Sequence, residues 1–246
     1  MEEKEALEFL ANQANTAADK KVHTTKDGEH FLIGDDVHPY HLDSNAKESI
    51  DTHTLTSIVD YIRSGADGRN DLFIQIKNPH EVVLLGALNK YGERECLINA
   101  TTSNDEFSFG EFLNREELNI ALQSQFAQSE DQAAILKFIG NYKESTSNTA
   151  SDDGITQTAT VQTGAASVST ARVPNPVTLK PYRTFLEVEQ PESQFIFRMR
   201  EGMRGGLFEA DGGAWKNEAI QNIKKYFTKE LAGKLRLNIK LITILG

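Results

Sequence analysis

The spacing of apolar residues changes from helical to strand-like along this chain, and that change limits the folds open to it. One segment carries apolar residues at i, i+3, i+4 and i+7, namely Leu55, Ile58, Val59 and Ile62. This is the pattern of a helix with one buried face, and Gly65 ends it. Three short apolar segments follow at 72–77, 81–88 and 94–100, and they predict an antiparallel meander.

Two more helices are predicted beyond this meander, because a capping residue precedes each apolar stripe. Asn114 is followed closely by acidic residues, which the helix dipole favours in a first turn. Ser129 is followed three residues later by Gln132, and this spacing is typical of a capping box.

From Pro176 onward, alternating apolar and polar residues predict a region rich in strands. The expected strands lie at 177–179, 183–189, 194–200 and, at the end of the chain, 235–242. A Gln-Pro-Glu-Ser turn at 190–193 is expected to join two of them as a hairpin. Between the sheet and the final strand, an Asp-Gly-Gly sequence introduces a helix that runs to about Leu231.

These segments together predict an α+β fold, in which an acidic N-terminal α/β half leads into an antiparallel β-sheet covered by the C-terminal helix. Four regions are expected: an N-terminal helix and polar loop region at 1–53, an α/β region at 54–143, a Ser/Thr-rich segment at 144–173, and an antiparallel sheet with helix and final strand at 174–246. The Ser/Thr-rich segment has two interpretations, an exposed hairpin and a linker.

The composition excludes several classes of protein. A single cysteine, Cys96, excludes an internal disulfide and any zinc site with two or more cysteines. No stretch approaches the ~20 consecutive apolar residues of a membrane helix, and the acidic start is unlike a signal peptide. We therefore expect a cytoplasmic protein with no membrane partner. The net charge is −10, with acidic residues concentrated in 1–150 and a small basic excess in 151–246.

A cluster of His and Asp residues near the N-terminus is the first candidate site. Residues 2–20 predict a helix and residues 30–33 a strand, and a polar loop is expected to follow. Its candidate metal ligands are Asp35, Asp36, His38 and His41. Carboxylate and imidazole groups suit a divalent metal, but the spacing matches no established motif. A solvated loop is the other interpretation, and no further cofactor is expected.

Charged residues of the predicted C-terminal sheet form the second candidate site. They are expected to converge beside an aromatic ring: Arg183, Glu187, Arg198, Arg200, Glu209, Asp211 and Trp215. One interpretation is a surface for a ligand or partner, and the other is a set of structural ion pairs. Asp211 also has an interpretation as the N-cap of the helix that follows it.

The basic end of the chain is the third candidate site. Lys224, Lys225 and Lys229 lie in the predicted helix, in a segment that has more basic than acidic residues. Lysines clustered on one helix can contact the phosphates of nucleic acid. The alternative interpretation is a solvated helix face.

Several segments of the chain resemble one family. They are the run from Asn175 to Pro191, the run from Leu207 to Trp215, and shorter features at Asp60-Tyr61-Ile62, 94–100, 109–113 and Asp152-Asp153-Gly154. Together they span about residues 54 to 230 and are similar to the YfdQ-like family of uncharacterised temperate-phage and prophage proteins. The resemblance implies a mobile-element origin and a cytoplasmic role in phage growth. It implies no particular activity and no catalytic residues.

The sequence therefore predicts a phage or prophage accessory protein that is not an enzyme and binds a macromolecule, in phage DNA metabolism or host takeover. The expected partner is a phage or host protein, with nucleic acid and a second copy of the chain as further options. The alternative is an enzyme or small-molecule binder directed at nucleotides or nucleic acid that counters host defence. A virion component is a third option.

Overall fold

The structure is a computed structural model, and it describes residues 4–10, 12, 21–26, 30–33, 37–39, 46, 48–65, 68, 71–89, 92–141, 158–163, 167–233 and 241–246. The chain divides into two compact units, Met1–Lys47 and Glu48–Gly246. In the described residues, no helix is long and apolar enough to cross a membrane.

In chain order, the helices and strands are α1 (residues 4–10), β1 (Lys21–Thr24), β2 (His30–Ile33), β3 (Val37–Pro39), β4 (Ile50–Thr52), α2 (Leu55–Ser64), β5 (Asp71–Asn78), β6 (Glu81–Gly86), β7 (Cys96–Thr101), β8 (Leu113–Asn114), α3 (Arg115–Ser124), β9 (Phe126–Ala127), α4 (Glu130–Asn141), β10 (Thr158–Thr163), β11 (Ser167–Arg172), β12 (Val177–Pro181), β13 (Ser193–Arg200), β14 (Arg204–Glu209), α5 (Trp215–Glu230) and β15 (Leu241–Leu245).

The first unit contains α1 and a small antiparallel sheet in the order β1-β2-β3. The predicted strand at 30–33 is confirmed as β2. His38 lies in β3, where it pairs with Leu32, so the predicted polar loop is a strand at that point. Asp35, Asp36 and His41, the other candidate metal ligands, lie outside the described residues.

The second unit contains a mixed five-stranded sheet in the order β15-β5-β6-β7-β4. The central strands form the predicted antiparallel meander, while β15 and β4 run parallel to their neighbours at the two edges. Thr54 caps α2 by accepting a hydrogen bond from the Ser57 N–H. The predicted stripe of α2 is fully buried against this sheet, because its spacing presents all four apolar residues on one side.

An antiparallel five-stranded sheet, in the order β8-β14-β13-β12-β9, belongs to the same unit. Helices α3 and α4 cover its apolar face, where Leu118 and Leu122 of α3 share a core with Phe195 and Phe197 of β13. Both predicted caps are confirmed: Asn114 makes a complete capping box with Glu117, and the Ser129 hydroxyl accepts from the Gln132 N–H.

The α+β class is confirmed, but the position predicted for the last helix is wrong. Helix α5 packs on the mixed sheet, where Ile223 and Phe227 share a core with Ile242 of β15. The apolar face of the antiparallel sheet is already covered by α3 and α4. The apolar stripe of α5 is therefore buried against the mixed sheet, whose edge strand β15 follows it in the chain.

The predicted strand at 183–189 is also wrong. Residues 182–192 form an irregular loop. The side-chain amide of Gln190 makes the hydrogen bonds to the loop backbone that a neighbouring strand would otherwise make. Its Oε1 accepts from the N–H groups of Arg183 and Thr184, and its Nε2 donates to the carbonyls of Phe185 and Val188. The alternation seen in the sequence thus comes from a loop whose buried residues are fixed by one amide.

Two other predicted segments are partly described. In the Ser/Thr-rich segment, β10 and β11 pair as antiparallel strands from Thr158↔Arg172 to Thr163↔Ser167. This pairing agrees with the hairpin interpretation of the segment. Of the predicted final strand 235–242, only its last two residues are described, and they begin β15.

Candidate functional site

Arg183 occupies the centre of the second candidate site, and it is buried. Only 4% of its side chain is exposed. Its Nη1 donates to Glu209 Oε1 at 2.6 Å, and its Nη2 donates to the Ser193 hydroxyl. The guanidinium carbon lies 3.9 Å from the centre of the Trp215 ring, within the range of a cation–π contact. Four of the predicted residues therefore meet here: Arg183, Glu209, Asp211 and Trp215.

Burial and charge act against each other in this cluster. Burial lowers the pKa of the Arg183 guanidinium, while the charges of Glu209 and Asp211 act in the opposite direction. Burial by itself would raise the pKa of the Asp211 carboxyl. Hydrogen bonds from Ser193 and from the Gly213 N–H, together with the charge of Arg183, outweigh that effect and lower the pKa. The cluster is thus an ion-pair network at neutral pH.

Asp211 is not the N-cap residue of α5, although its carboxylate accepts from the N–H of Trp215, the first residue of the helix. The N-cap residue is Ala214, which makes no side-chain cap. Gly212 and Gly213, with φ of 63° and 81°, turn the chain between Asp211 and the helix, a backbone that favours glycine. The carboxylate accepts from the Gly213 N–H at 2.9 Å, and its Oδ2 lies 3.9 Å from Arg183 Nη2.

His80 and Glu106 lie beside this cluster, and neither was predicted. The His80 ring meets the Trp215 ring edge-on, with centroids 5.9 Å apart, and its Nδ1 lies 3.4 Å from Glu106 Oε1. The Thr184 hydroxyl donates to the Pro79 carbonyl and so fixes the turn before His80. No local sequence pattern connects the β5–β6 turn with Trp215, so their proximity follows only from the tertiary fold.

Glu187 was predicted at the same surface but has another role. Its Oε1 accepts from the N–H groups of Leu55, at 2.7 Å, and Thr56, at 3.3 Å. A carboxylate at a helix N-terminus pairs with otherwise unsatisfied N–H groups and with the positive end of the helix dipole. Glu187 thus ties the 182–192 loop to α2.

Arg198 and Arg200 lie on the side of the antiparallel sheet opposite α3 and α4, which we call the outer face. The register of β12, β13 and β14 places nine residues on this face. They are Thr178, Lys180, Gln194, Ile196, Arg198, Arg200, Arg204, Gly206 and Phe208. Four of these are basic and none is acidic. The outer face therefore differs in charge from the chain as a whole.

Phe112 lies on the outer face beside two exposed arginines. The guanidinium carbon of Arg200 is 3.8 Å from the centre of its ring, and Arg204 Nη2 donates to its carbonyl at 2.9 Å. The centres of the Phe208 and Phe112 rings are 5.3 Å apart. A Cβ on Gly206 would lie 2.6 Å from the Glu111 carbonyl oxygen, so glycine is what allows the segment before β8 to approach β14.

The third candidate site is partly used within the protein. Lys224 Nζ donates to the Gly246 carbonyl at 3.2 Å, and Lys225 Nζ donates to Asn222 Oδ1 at 3.3 Å. Lys229 is exposed in the last turn of α5. Contact of these lysines with nucleic acid stays a prediction.

Among the residues that the structure describes, no group of three or more His, Cys, Asp or Glu side chains is placed to hold a metal ion. Only His38 of the four predicted metal ligands is in the described part of the chain. Metal binding at that cluster stays a prediction.

Comparison with known proteins finds no matching family model, no matching curated protein and no matching solved structure. The resemblance to the YfdQ-like family accordingly stays a prediction from the sequence.

Proposed function

We propose that this chain is a phage or prophage accessory protein that binds a macromolecule through its outer face, in phage DNA metabolism or host takeover. The resemblance to the YfdQ-like family supports the phage origin. We expect the protein to act in the cytoplasm of an infected or lysogenic bacterial cell, with a phage or host macromolecule as its partner.

The observation that carries the proposal is the exposure of Arg200 and Arg204 beside aromatic rings on a face without acidic strand residues. Exposed arginine and aromatic side chains are enriched where proteins bind partners. Arg183, in contrast, already has its contacts within the protein. The outer face thus offers charged groups that a partner can reach.

The test is an affinity pull-down of the tagged full chain from phage-infected cells, with and without nuclease, read by mass spectrometry. A variant with Arg200→Glu and Arg204→Glu is compared with a matched variant with Lys225→Glu and Lys229→Glu, which has the same change in charge. We expect a stoichiometric partner that only the arginine variant loses. Recovery of the bait alone in the sample without nuclease, or of a partner insensitive to the arginine variant, would contradict the proposal.

A small-molecule role is the second candidate, and the pairing of His80 with Glu106 beside Trp215 favours it. The half-exposed His80 imidazole and Glu106 carboxylate are polar groups that can hydrogen-bond a nucleotide, while the buried Trp215 ring supports His80 from below the surface. Thermal shift with nucleotides, alone and with magnesium, manganese or zinc, tests this candidate. A rise in Tm that His80→Ala abolishes would support it, and an unchanged Tm in every mixture would exclude it.

A further inference from the structure

We infer that the outer face binds single-stranded nucleic acid, with phosphates at Arg200 and Arg204 and bases stacked on the group formed by Phe112, Phe208 and the Arg200 guanidinium. This inference rests on the proposed function, because it names the class of macromolecule that the same surface takes.

Charge is the first argument. The chain carries −10, so a nucleic acid is repelled by most of its surface and must bind where positive charge is concentrated. Lys180 of β12 is paired with Glu189 and Glu192, and of the four basic residues on the outer face Arg200 and Arg204 are the exposed ones. Arg200 and Arg204 are cross-strand partners, so their side chains lie side by side.

Stacking is the second argument. Arg200 already lies over the Phe112 ring, and Phe208 is adjacent. Bases of single-stranded nucleic acids stack on aromatic rings and on guanidinium planes. The side of the Arg200 guanidinium away from Phe112 is therefore placed to receive a base, which gives a ring–guanidinium–base arrangement.

The geometry favours a single strand over a duplex. The bases of a duplex are paired and stacked, so their faces cannot reach a side chain that stands on a sheet. Three neighbouring strands span about 10 Å, and sheets that bind RNA in this way stack two or three bases. The outer face of β12, β13 and β14 is wide enough for such a segment.

The lysines of α5 fit this ligand less well. Lys224 and Lys225 donate to oxygens within the protein. Trp215 and Phe227 of the same helix are buried, and the Tyr226 hydroxyl is hydrogen-bonded with Thr56. The half-buried Tyr226 ring packs against the core of the mixed sheet, whereas the half-buried Phe112 and Phe208 rings belong to neither core, so the outer face combines positive charge with rings better than the helix does.

The experiment measures binding of the full-length protein to a fluorescent ten-nucleotide oligo-dT by anisotropy at several salt concentrations. A duplex of equal length and an oligoglutamate peptide serve as competitors. We expect binding that weakens with salt, strong competition by unlabelled oligo-dT, and weak competition by the duplex and the peptide.

Three variants test whether oligo-dT binds to the outer face. Arg200→Gln with Arg204→Gln should weaken binding at least tenfold and reduce the slope of log K against log salt by about 1.4, since each phosphate contact on a single strand contributes about 0.7. Phe112→Leu keeps an apolar side chain but removes the ring, and it should weaken binding about fivefold with an unchanged slope. Lys225→Gln with Lys229→Gln is the matched control and should bind like the unchanged protein.

Four outcomes would overturn the inference. Two concern the unchanged protein: no binding of the oligonucleotide at low salt, and equal competition by the duplex or by oligoglutamate. The other two concern the variants: normal binding by the arginine variant, and loss of binding by the lysine control. The pull-down separates this failure from that of the proposed function. A nuclease-resistant protein partner lost with Arg200→Glu and Arg204→Glu would leave the proposed function standing while the nucleic-acid inference fails.

Discussion

Two arginines of this protein lie over aromatic rings with the guanidinium carbon at nearly the same distance from the ring centre, 3.9 Å for Arg183 and Trp215 and 3.8 Å for Arg200 and Phe112. Arg183 is buried and donates to Glu209 and Ser193, whereas Arg200 is exposed. The contact itself therefore does not show what an arginine is for. Burial and the use of the remaining donors separate an arginine that holds the fold from one that is available to a partner.

The strongest test of this comparison is Arg183→Met, which keeps an apolar side chain beside Trp215 and removes the charge. We expect the free energy of unfolding to fall by about 3 kcal/mol, since Glu209 and Asp211 lose their cation in a partly buried setting. Urea denaturation measures the change. A loss no greater than that of Arg200→Met would break the distinction between the two arginines.

The second test is Gln190→Leu, which removes the amide that holds the loop carrying Arg183. The N–H groups of Arg183 and Thr184 and two carbonyls lose their hydrogen bonds, and we expect a loss of about 2 kcal/mol. The same substitution at Gln194, an exposed residue of β13, is the control. Equal stability of the two variants in urea would show that the loop does not depend on this amide.

The third test uses pH. The pKa of Asp211 is lowered from its ordinary value of 3.8, so its charged form stabilises the fold above that pH, and the contribution disappears as pH falls through the lowered value. Asp211→Asn should cost about 1 kcal/mol at pH 7, and the difference from the unchanged protein should shrink below pH 3.8. Urea denaturation at pH 7 and at low pH checks this, with the exposed Asp105→Asn as control. A difference that stays constant with pH would contradict the ion-pair role.

The smallest expected effect on stability is that of Arg200→Met. Because Arg200 is exposed, its loss should change the free energy of unfolding by less than about 0.5 kcal/mol. The same variant should weaken oligo-dT binding, measured by anisotropy. A large loss of stability with normal binding would assign Arg200 the same structural role as Arg183.

Local signals in the sequence predicted much of the fold. The stripe of α2, the meander β5–β7 and the caps Asn114 and Ser129 depend on residues that are close in the chain. The errors lie where a side-chain contact or a strand from elsewhere in the chain, rather than the local period, decides the structure. The Arg183 N–H donates to the side chain of Gln190 and not to a neighbouring strand. Helix α5 packs on a sheet whose central strands precede it by more than a hundred residues.

The candidate sites show the same limit. The sequence grouped Arg183, Glu209, Asp211 and Trp215 correctly, but it did so through a strand at 183–189 that the structure replaces with a loop. It missed His80 and Phe112, because no local pattern places His80 beside Trp215 or Phe112 beside Arg200. The alternation of Ile196, Arg198 and Arg200 against the buried phenylalanines of β13 was the one signal of an outer face, but only the register with β14 adds Arg204 and Phe208 to it.

The parallel pairing of β15 with β5 has a consequence for how the chain folds. Leu241 pairs with Asp71 and Leu245 with Gln75, so these contacts close a very long loop, and contacts of high sequence separation slow folding. During synthesis, β5 leaves the ribosome long before its parallel neighbour. Until residues 241–245 emerge, one edge of the mixed sheet is open to mispairing with other nascent chains, and this interval is when a chaperone is most useful to the protein.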